Sequence, residues 1–279
     1  MNIVQKIAAL LGVTALAVAL LWLVFVLPRA ERIAPGYEGI FSYMARSSVA
    51  EAPEEPLVTE SFIEHYHERL VRGEGDFILL EMVTEFFEVV TERLLFYTAD
   101  QLQMNRTSRL MEGTDVLVLF PPKLQKRDYV IRRFPYFPKE GVLFTFEGEE
   151  KVRGLRSFRF SFHIASVDWS ANYSHLVLPE GVSVLARDWG TVWVEPRTGI
   201  MMKHEEQWEA RISGGNFHGH PVDVGEMWFL PDTVILQVFL AGNEGRRLRL
   251  YSWIAPGMLL LTGGILLCMA KPSRKGRLS

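Results

Sequence analysis

Residues 7–27 read IAALLGVTALAVALLWLVFVL, an apolar run that contains no ionisable side chain. A helix needs roughly 20 apolar residues to cross the ~30 Å hydrocarbon layer of a bilayer, and this run is long enough. A cleavable signal peptide has a shorter apolar core, of about 7–15 residues, and ends at a small-x-small site. This run ends instead in Val-Leu-Pro-Arg. Residues 1–28 are therefore predicted to form a retained signal anchor that crosses the membrane.

A second run without charge occupies residues 251–270, YSWIAPGMLLLTGGILLCMA, and predicts a C-terminal transmembrane helix. Residues 271–279 form a basic tail that contains Lys and Arg but no acid. Because cytoplasmic flanks collect Lys and Arg, this tail is predicted to be cytoplasmic. Two spans place both termini on one side of the plasma membrane, so residues 29–250 are predicted to be extracytoplasmic.

The composition excludes several classes of protein. The formal net charge of −3 does not fit a strongly basic nucleic-acid-binding protein, and no nucleic acid is expected as a partner. The only cysteine, Cys268, lies in the second apolar run, so the external domain is predicted to use no disulfides. The glycine-rich segment 213–219 lacks the Gly-x-Gly-x-x-Gly and Walker patterns, and no cofactor is predicted.

Residues 29–56 are predicted to be an irregular linker that lifts the external domain off the membrane. Pro35-Gly36, Pro53 and Pro56 punctuate this stretch, and it carries several glutamates. Proline and glycine interrupt regular structure, which is typical of linkers.

Residues 57–250 are predicted to form one β-rich domain, in which two segments are ambiguous. Residues 77–97 place apolar side chains opposite glutamates on a helical projection, which favours an amphipathic helix. They are also rich in Phe, Val, Ile and Thr and follow a hairpin-like turn at residues 72–76, which favours strands; strands are the preferred interpretation. Residues 233–241 fit either a strand or a short helix, which Gly242 and Gly245 are expected to end.

The clearest strand signal lies between residues 142 and 164, where apolar and polar side chains alternate. Alternation of this length is typical of half-buried strands. Phe158, Phe160 and Phe162 are predicted to face a core, while Gly148 and Gly154 indicate a turn and a bulge. A second hairpin is predicted at residues 191–202, where a Pro-Arg-Thr-Gly sequence suits a tight turn with a left-handed exit.

These patterns predict an α+β fold, with a mostly antiparallel β extracytoplasmic domain between N- and C-terminal transmembrane helices. Three segments resemble the porin PorA family: residues 134–138 (FPYFP), 146–160 (FEGEEKVRGLRSFRF) and 193–199 (WVEPRTG). A weaker match, residues 105–107 (NRT), has asparagine where family members often carry an acidic residue. The resemblance implies a two-pass membrane protein with a β-rich external domain, and the porin name implies a channel. It implies no catalytic residue.

Two pairs of histidines are candidates for metal ligation. His218 and His220, with Asp223 nearby, offer two imidazoles and a carboxylate, a set that suits zinc or nickel. His65 and His67 would lie on the same side of a strand. Isolated pairs of this kind are more often solvent-facing polar residues, so no metal site is predicted, and these residues stand as weak candidates.

Arg153 and Arg159 occupy odd positions of the 142–164 segment, opposite the aromatic residues, and Arg156 is grouped with them as a third, open member. They form a basic stripe that would face anionic lipid headgroups or an envelope partner. The alternative is a face that is merely solvated.

The sequence indicates location and architecture more strongly than activity. No Gly-x-Ser-x-Gly nucleophile motif is present, and no enzyme is predicted. The expected function is that of a membrane-anchored, non-enzymatic cell-envelope protein that acts through binding or assembly, with a homo-oligomer, an envelope protein or a lipid as open partners. One alternative is a subunit of an oligomeric channel, since Gly263 and Gly264 permit close helix approach. The other is a metal-dependent hydrolase.

Overall fold

The computed structural model describes residues 3–33, 37–53, 55–132, 138–173 and 176–271. The chain divides into two compact units. One unit, called here the β domain, comprises Ile33–Gly242, and the other, the helical unit, combines Met1–Arg32 with Asn243–Ser279. The PorA-like residues 134–137 and the basic tail after Lys271 lie outside the described residues.

The chain has two apolar helical stretches; the first lies in the helical unit, and the second begins in the β domain and enters the helical unit at Asn243. The first consists of α1 (Ile3–Leu21), a π-helical turn (Trp22–Val26) and α2 (Leu27–Ala30). The second consists of α3 (Pro231–Arg249), a π-helical turn (Leu250–Ile254) and α4 (Ala255–Ala270). Each stretch is long and apolar enough to cross a membrane. This confirms the predicted N- and C-terminal helices.

Helices α1 and α4 pack closely because glycine lies where they meet. A Cβ atom at Gly12 would lie 2.9 Å from Leu267 Cγ, and one at Gly263 would lie 3.0 Å from the side chain of Leu16. Glycine at a helix crossing lets the two backbones approach. Gly263 therefore lies at the contact between α1 and α4, whereas a Cβ at Gly264 would meet no atom within 4 Å.

The β domain is a single ten-stranded sheet in which every neighbouring pair is antiparallel. The strands are β1 (Glu38–Val49), β2 (Val58–Glu74), β3 (Phe77–Glu88), β4 (Leu94–Asn105), β5 (Tyr129–Ile131), β6 (Val142–Val152), β7 (Leu155–Asp168), β8 (Ser183–Val194), β9 (Met201–Ser213) and β10 (Pro221–Phe229). Their order in the sheet is β4-β3-β2-β1-β10-β9-β8-β7-β6-β5. The mostly antiparallel β fold is confirmed.

The sheet curls around one shared interior. Isolated bridges pair Met104 of β4 with Met111, Leu110 with Leu117, and Leu117 with Ile131 of β5, so the connection between β4 and β5 links the first and last strands. One buried apolar cluster contains side chains from both halves of the sheet. The predicted inward-facing aromatics, Phe158, Phe160 and Phe162, belong to this cluster.

The predicted linker is wrong over residues 38–49, because this segment forms β1 in the middle of the sheet between β2 and β10. Phe41, Tyr43 and Ala45 are buried on its inward face and alternate with more exposed residues. The prolines at 35, 53 and 56 flank this strand in the sequence rather than interrupt it.

The two ambiguous segments have different outcomes. Residues 77–97 belong to β3, a turn and the start of β4, which confirms the preference for strands. Residues 233–241 are helical, as part of α3. Gly242 and Gly245 do not end this helix, so the expected break is wrong: glycine inside a helix costs only about 1 kcal/mol relative to alanine. The buried Ala241, packed with Val234 and Val238 on the sheet, anchors the first part of α3.

Both predicted hairpins are present. In the β6–β7 hairpin the register shifts between Phe146 and Gly148, which places the bulge there, and Gly154 lies in the turn with φ +85°. The β8–β9 hairpin turns at Gly199, where φ is +76°.

Candidate functional site

His218 and His220 lie in the loop between β9 and β10, and each has a local partner. His218 Nδ1 accepts a hydrogen bond from the Gly214 N–H (3.0 Å), and the His220 ring packs edge-on against Phe217 with 5.9 Å between centroids. Across the residues that the structure describes, no group of three or more His, Cys, Asp or Glu side chains is placed to hold a metal ion.

Asp223, the third weak metal candidate, binds side chains of three other elements. Its Oδ1 accepts hydrogen bonds from Ser47 Oγ (2.5 Å) and Trp208 Nε1 (3.0 Å), and its Oδ2 accepts one from the Tyr173 hydroxyl (2.9 Å). Burial raises the pKa of Asp223, while these three donors oppose the rise. Asp223 therefore joins β1, β9 and the short helical turn Ser170–Tyr173 to β10.

His65 and His67 lie on the same face of β2, as predicted, with 6.4 Å between ring centroids. His65 Nδ1 lies 2.9 Å from Ser42 Oγ, and His67 Nε2 lies 3.9 Å from Glu85 Oε2. Burial, followed by the neighbouring His67, lowers the pKa of His65 despite the opposing charge of Glu85.

The basic stripe is matched by acidic residues on β6. Arg156 donates two hydrogen bonds of 2.8 Å to Glu149, and Arg159 pairs with Glu150. Arg156, followed by Lys126, lowers the pKa of Glu149 to about 2. The stripe is therefore partly neutralised by its own hairpin.

A group of ionisable residues lies inside the curled sheet, called here the interior acidic cluster: Glu64 of β2, Asp188 of β8, and His204 and Glu206 of β9. All four are at most 4% exposed. His204 Nε2 lies 3.2 Å from Glu206 Oε2, and His204 Nδ1 lies 3.4 Å from the Tyr43 hydroxyl. Among the described residues, neither carboxyl oxygen of Glu64 has a hydrogen-bond partner.

Two members of the cluster, Glu64 and Asp188, favour their protonated form at neutral pH. Burial, with the charge of Glu206 added, raises the pKa of Glu64 to about 8. Burial, with the charges of Glu206 and Asp223 added, raises the pKa of Asp188 to about 8. A carboxyl group without a compensating cation in an apolar interior favours its neutral form. All four side chains of the cluster are enclosed in the sheet, so they do not form an exposed surface.

Sequence reasoning missed His204 and Glu206, although the signal was present. The apolar residues Met202, Ala210 and Ile212 occupy even positions of β9, and strict alternation places residues 204 and 206 on the same inward face. A polar residue at an inward position of a strand is the informative exception, because buried polar groups are costly.

The opposite, outward face of the sheet carries a groove of about 420 Å³ across β8, β9 and β10. Cross-strand pairing places Gln207 between Trp189 and Glu226. The next row on this face places Glu205 between Thr191 and Trp228, which completes the outward-facing lining. We call this surface, defined by Trp189, Thr191, Glu205, Gln207, Glu226 and Trp228, the tryptophan groove.

One hydrogen bond and two guanidinium groups contact the indoles of Trp189 and Trp228. Trp189 Nε1 donates to Gln207 Oε1 (2.8 Å), and the Arg187 guanidinium carbon lies 5.5 Å from the centroid of the Trp189 ring. The Arg46 guanidinium carbon lies 6.0 Å from the centroid of Trp228. Guanidinium groups at this distance attract aromatic faces. The indoles are thus supported by neighbouring side chains.

Both groove carboxylates have a cation nearby. Lys203 Nζ lies 2.6 Å from Glu205 Oε1, and Arg46 Nη1 lies 3.6 Å from Glu226 Oε1. The groove therefore combines two aromatic platforms with polar groups whose charges are largely balanced.

Comparison with known proteins matches the chain to one family model. The model is described as Porin PorA, and it matches residues 96–270, which runs from β4 through the sheet to the end of α4. No curated protein sequence matches the chain. The match covers more than half of the chain and includes the part of the β domain from β4 to β10 and the C-terminal apolar helix. This membrane protein belongs to the porin PorA family.

Proposed function

We propose that this chain is a membrane-anchored, non-enzymatic envelope protein whose β domain acts by binding. The tryptophan groove carries the proposal, because it is a formed concave surface with two supported indoles and several hydrogen-bonding groups. Ligand sites combine apolar surface with a few placed polar groups in this way.

The proposed arrangement has both termini in the cytoplasm and the β domain outside. The basic tail at residues 271–279 supports it, since Lys and Arg are enriched on cytoplasmic flanks. Apolar side chains such as Leu20, Leu261 and Ile265 are exposed on the helices, which suits contact with lipid.

The basic stripe, Arg153, Arg156 and Arg159, remains a proposed contact for anionic lipid headgroups or an envelope partner. The ion pairs of Arg156 with Glu149 and of Arg159 with Glu150 would have to be exchanged for contacts with the lipid or partner. Exposed ion pairs of this kind contribute only about 0–1 kcal/mol to stability, so breaking them for contacts with a lipid or partner costs little free energy.

The second candidate is a subunit of an oligomeric channel, as the family name suggests. Gly264 supports this alternative, because the space around it is open in the described chain and would admit a helix from another copy.

Single-channel recording separates the two candidates. The full-length protein is inserted into a planar bilayer, and a chain that ends before α4 serves as the control. A silent bilayer, with insertion verified by antibody or fluorescent label, is the expected result for a binding protein. Discrete conductance steps that the control lacks would overturn it in favour of the channel.

A further inference from the structure

We propose that the tryptophan groove binds a neutral oligosaccharide. The inference rests on the proposed function, because it names the ligand class of a domain proposed to act by binding. Three properties of the groove support this class: its balanced charge, its pairing of aromatic with hydrogen-bonding groups, and the separation of its two indoles.

The charge balance favours a neutral ligand. An aromatic ring attracts a cation through its quadrupole, but Arg187 and Arg46 already lie over the rings of Trp189 and Trp228. In this groove Lys203 compensates Glu205, and Arg46 compensates Glu226. A cation or an anion would have to displace one of these internal partners, whereas a neutral ligand would not.

The chemistry of the lining matches the two kinds of surface on a sugar. A sugar ring presents C–H groups on its faces and hydroxyl groups around its edge. Trp189 and Trp228 provide flat apolar surfaces for the faces. Glu205 and Glu226 can accept hydrogen bonds from hydroxyl groups, and the amide of Gln207, whose Oε1 already accepts from Trp189, retains its NH₂ group as a donor.

The spacing of the indoles favours a chain of sugars. Strand β9 lies between the strands that carry Trp189 and Trp228. Trp189 is opposite Gln207 and Trp228 is opposite Glu205, so the two tryptophans are offset by two residues along the strand direction. With strands ~4.8 Å apart and residues ~3.4 Å apart along a strand, their Cα atoms are separated by about 12 Å. At this separation of the two Cα atoms we expect one sugar ring on each indole, and a ligand that contacts both is then an oligosaccharide.

Isothermal titration of the full-length protein in lipid nanodiscs tests the proposal. The probes are maltose, maltohexaose, cellohexaose and a linear mannohexaose. At least one hexasaccharide is expected to bind, and Trp189→Ala and Trp228→Ala are each expected to weaken its binding about tenfold. Trp189→Phe and Trp228→Phe are each expected to weaken it less than the alanine variants, since the aromatic platform is retained.

The matched control is Tyr97→Ala, which removes an exposed aromatic side chain from β4, outside the groove. It is expected to leave the affinity unchanged. Circular dichroism of each variant verifies that the fold is retained. Affinity is expected to vary little between about 0.05 and 0.5 M NaCl, because a neutral ligand is insensitive to screening.

Three results would overturn the proposal: no hexasaccharide binds, the tryptophan variants bind as well as Tyr97→Ala does, or tetramethylammonium displaces the sugar. None of these would produce conductance in the bilayer recording. A failed titration with a silent bilayer therefore rejects only the ligand class, whereas conductance steps reject the proposed function itself.

Discussion

One buried carboxyl group, that of Glu64, sets an expected pH response of the β domain. Its pKa is raised from an ordinary 4.5 to about 8 in the folded chain. Between these two values the folded chain keeps a proton that the unfolded chain releases, so stability is highest at the acidic end and falls as pH rises towards 8. The loss is on the order of 4 kcal/mol, or roughly 10 °C in the unfolding midpoint.

Glu64→Gln should flatten this decline, because the amide cannot ionise. Thermal unfolding followed by circular dichroism between pH 5 and 8 measures the slope, and the variant is expected to lose a large part of it. Asp188, whose pKa is raised in the same direction, should account for much of the remainder. Glu60→Gln, an exposed position on the same strand, should keep the wild-type slope. Equal slopes for Glu64→Gln and wild type would contradict this account.

Gly199 is a position where two physical constraints coincide. Its φ is +76°, and an added Cβ would lie 2.3 Å from the Phe120 carbonyl oxygen. At Gly154 φ is +85°, but a Cβ would meet nothing within 4 Å. Gly154→Ala is therefore expected to cost about 1 kcal/mol from backbone strain alone.

Gly199→Ala adds a clash with the backbone of a buried segment and is expected to cost about 3 kcal/mol. The two variants are compared by their unfolding midpoints in detergent. A smaller loss for Gly199→Ala than for Gly154→Ala would show that the Phe120 contact is unimportant.

At the scale of elements, the crossing of α1 and α4 depends on glycine at two positions. Gly263→Leu should separate the helices, because even a Cβ there would lie 3.0 Å from Leu16. The expected result is loss of helical signal at a lower temperature than for wild type. Gly264→Leu is the matched neighbour, and it should have little effect in a monomeric helix pair because the space around it is open.

Oligomeric state gives these two variants a second use. If the channel alternative held, Gly264→Leu would shift the mass measured by light scattering in detergent, since the open side of α4 would be the interface. An unchanged mass for Gly264→Leu together with a destabilised Gly263→Leu is the outcome expected for an anchored binding protein.

At the scale of the whole molecule, the proposed topology predicts which segments are accessible from outside the cell. Val177 is 91% exposed in the β domain, and Lys271 directly follows α4. In a Cys268→Ser background, Val177→Cys should react with a membrane-impermeant maleimide on intact cells. Lys271→Cys should react only after lysis, because the tail is proposed to be cytoplasmic. The reverse pattern would place the β domain inside the cell.

Sequence patterns located the hairpins well because they depend on local chemistry. The alternation across residues 142–164 and the turn at Gly199 both concern residues that are neighbours in the chain. The linker prediction failed for the opposite reason. Strand β1 is stabilised by pairing with β10, about 180 residues later in the chain, and no local signal reports that partner.

Some features of the candidate site could be predicted from the local sequence, and others depend on which strands are paired. Alternation could have placed Glu206 inward and Gln207 outward, because side-chain direction in a strand follows from position alone. The meeting of Trp189 with Gln207 and of Glu226 with Arg46 could not be predicted, because each depends on which strands are neighbours and in which register. The hydrogen bonds of Asp223 to three other elements could not be predicted either, because Ser47, Tyr173 and Trp208 are distant from it in the sequence.

The sequence by itself determined that this chain has two membrane-length apolar helices and a disulfide-free β domain, because these follow from composition and period along the chain. Only the tertiary structure decided that the sheet curls round to link β4 with β5, that it encloses Glu64 with His204 and Glu206, and that it presents two tryptophans on its outer face. The physical reason is that burial and cross-strand contact depend on pairings between distant segments, which local patterns do not encode.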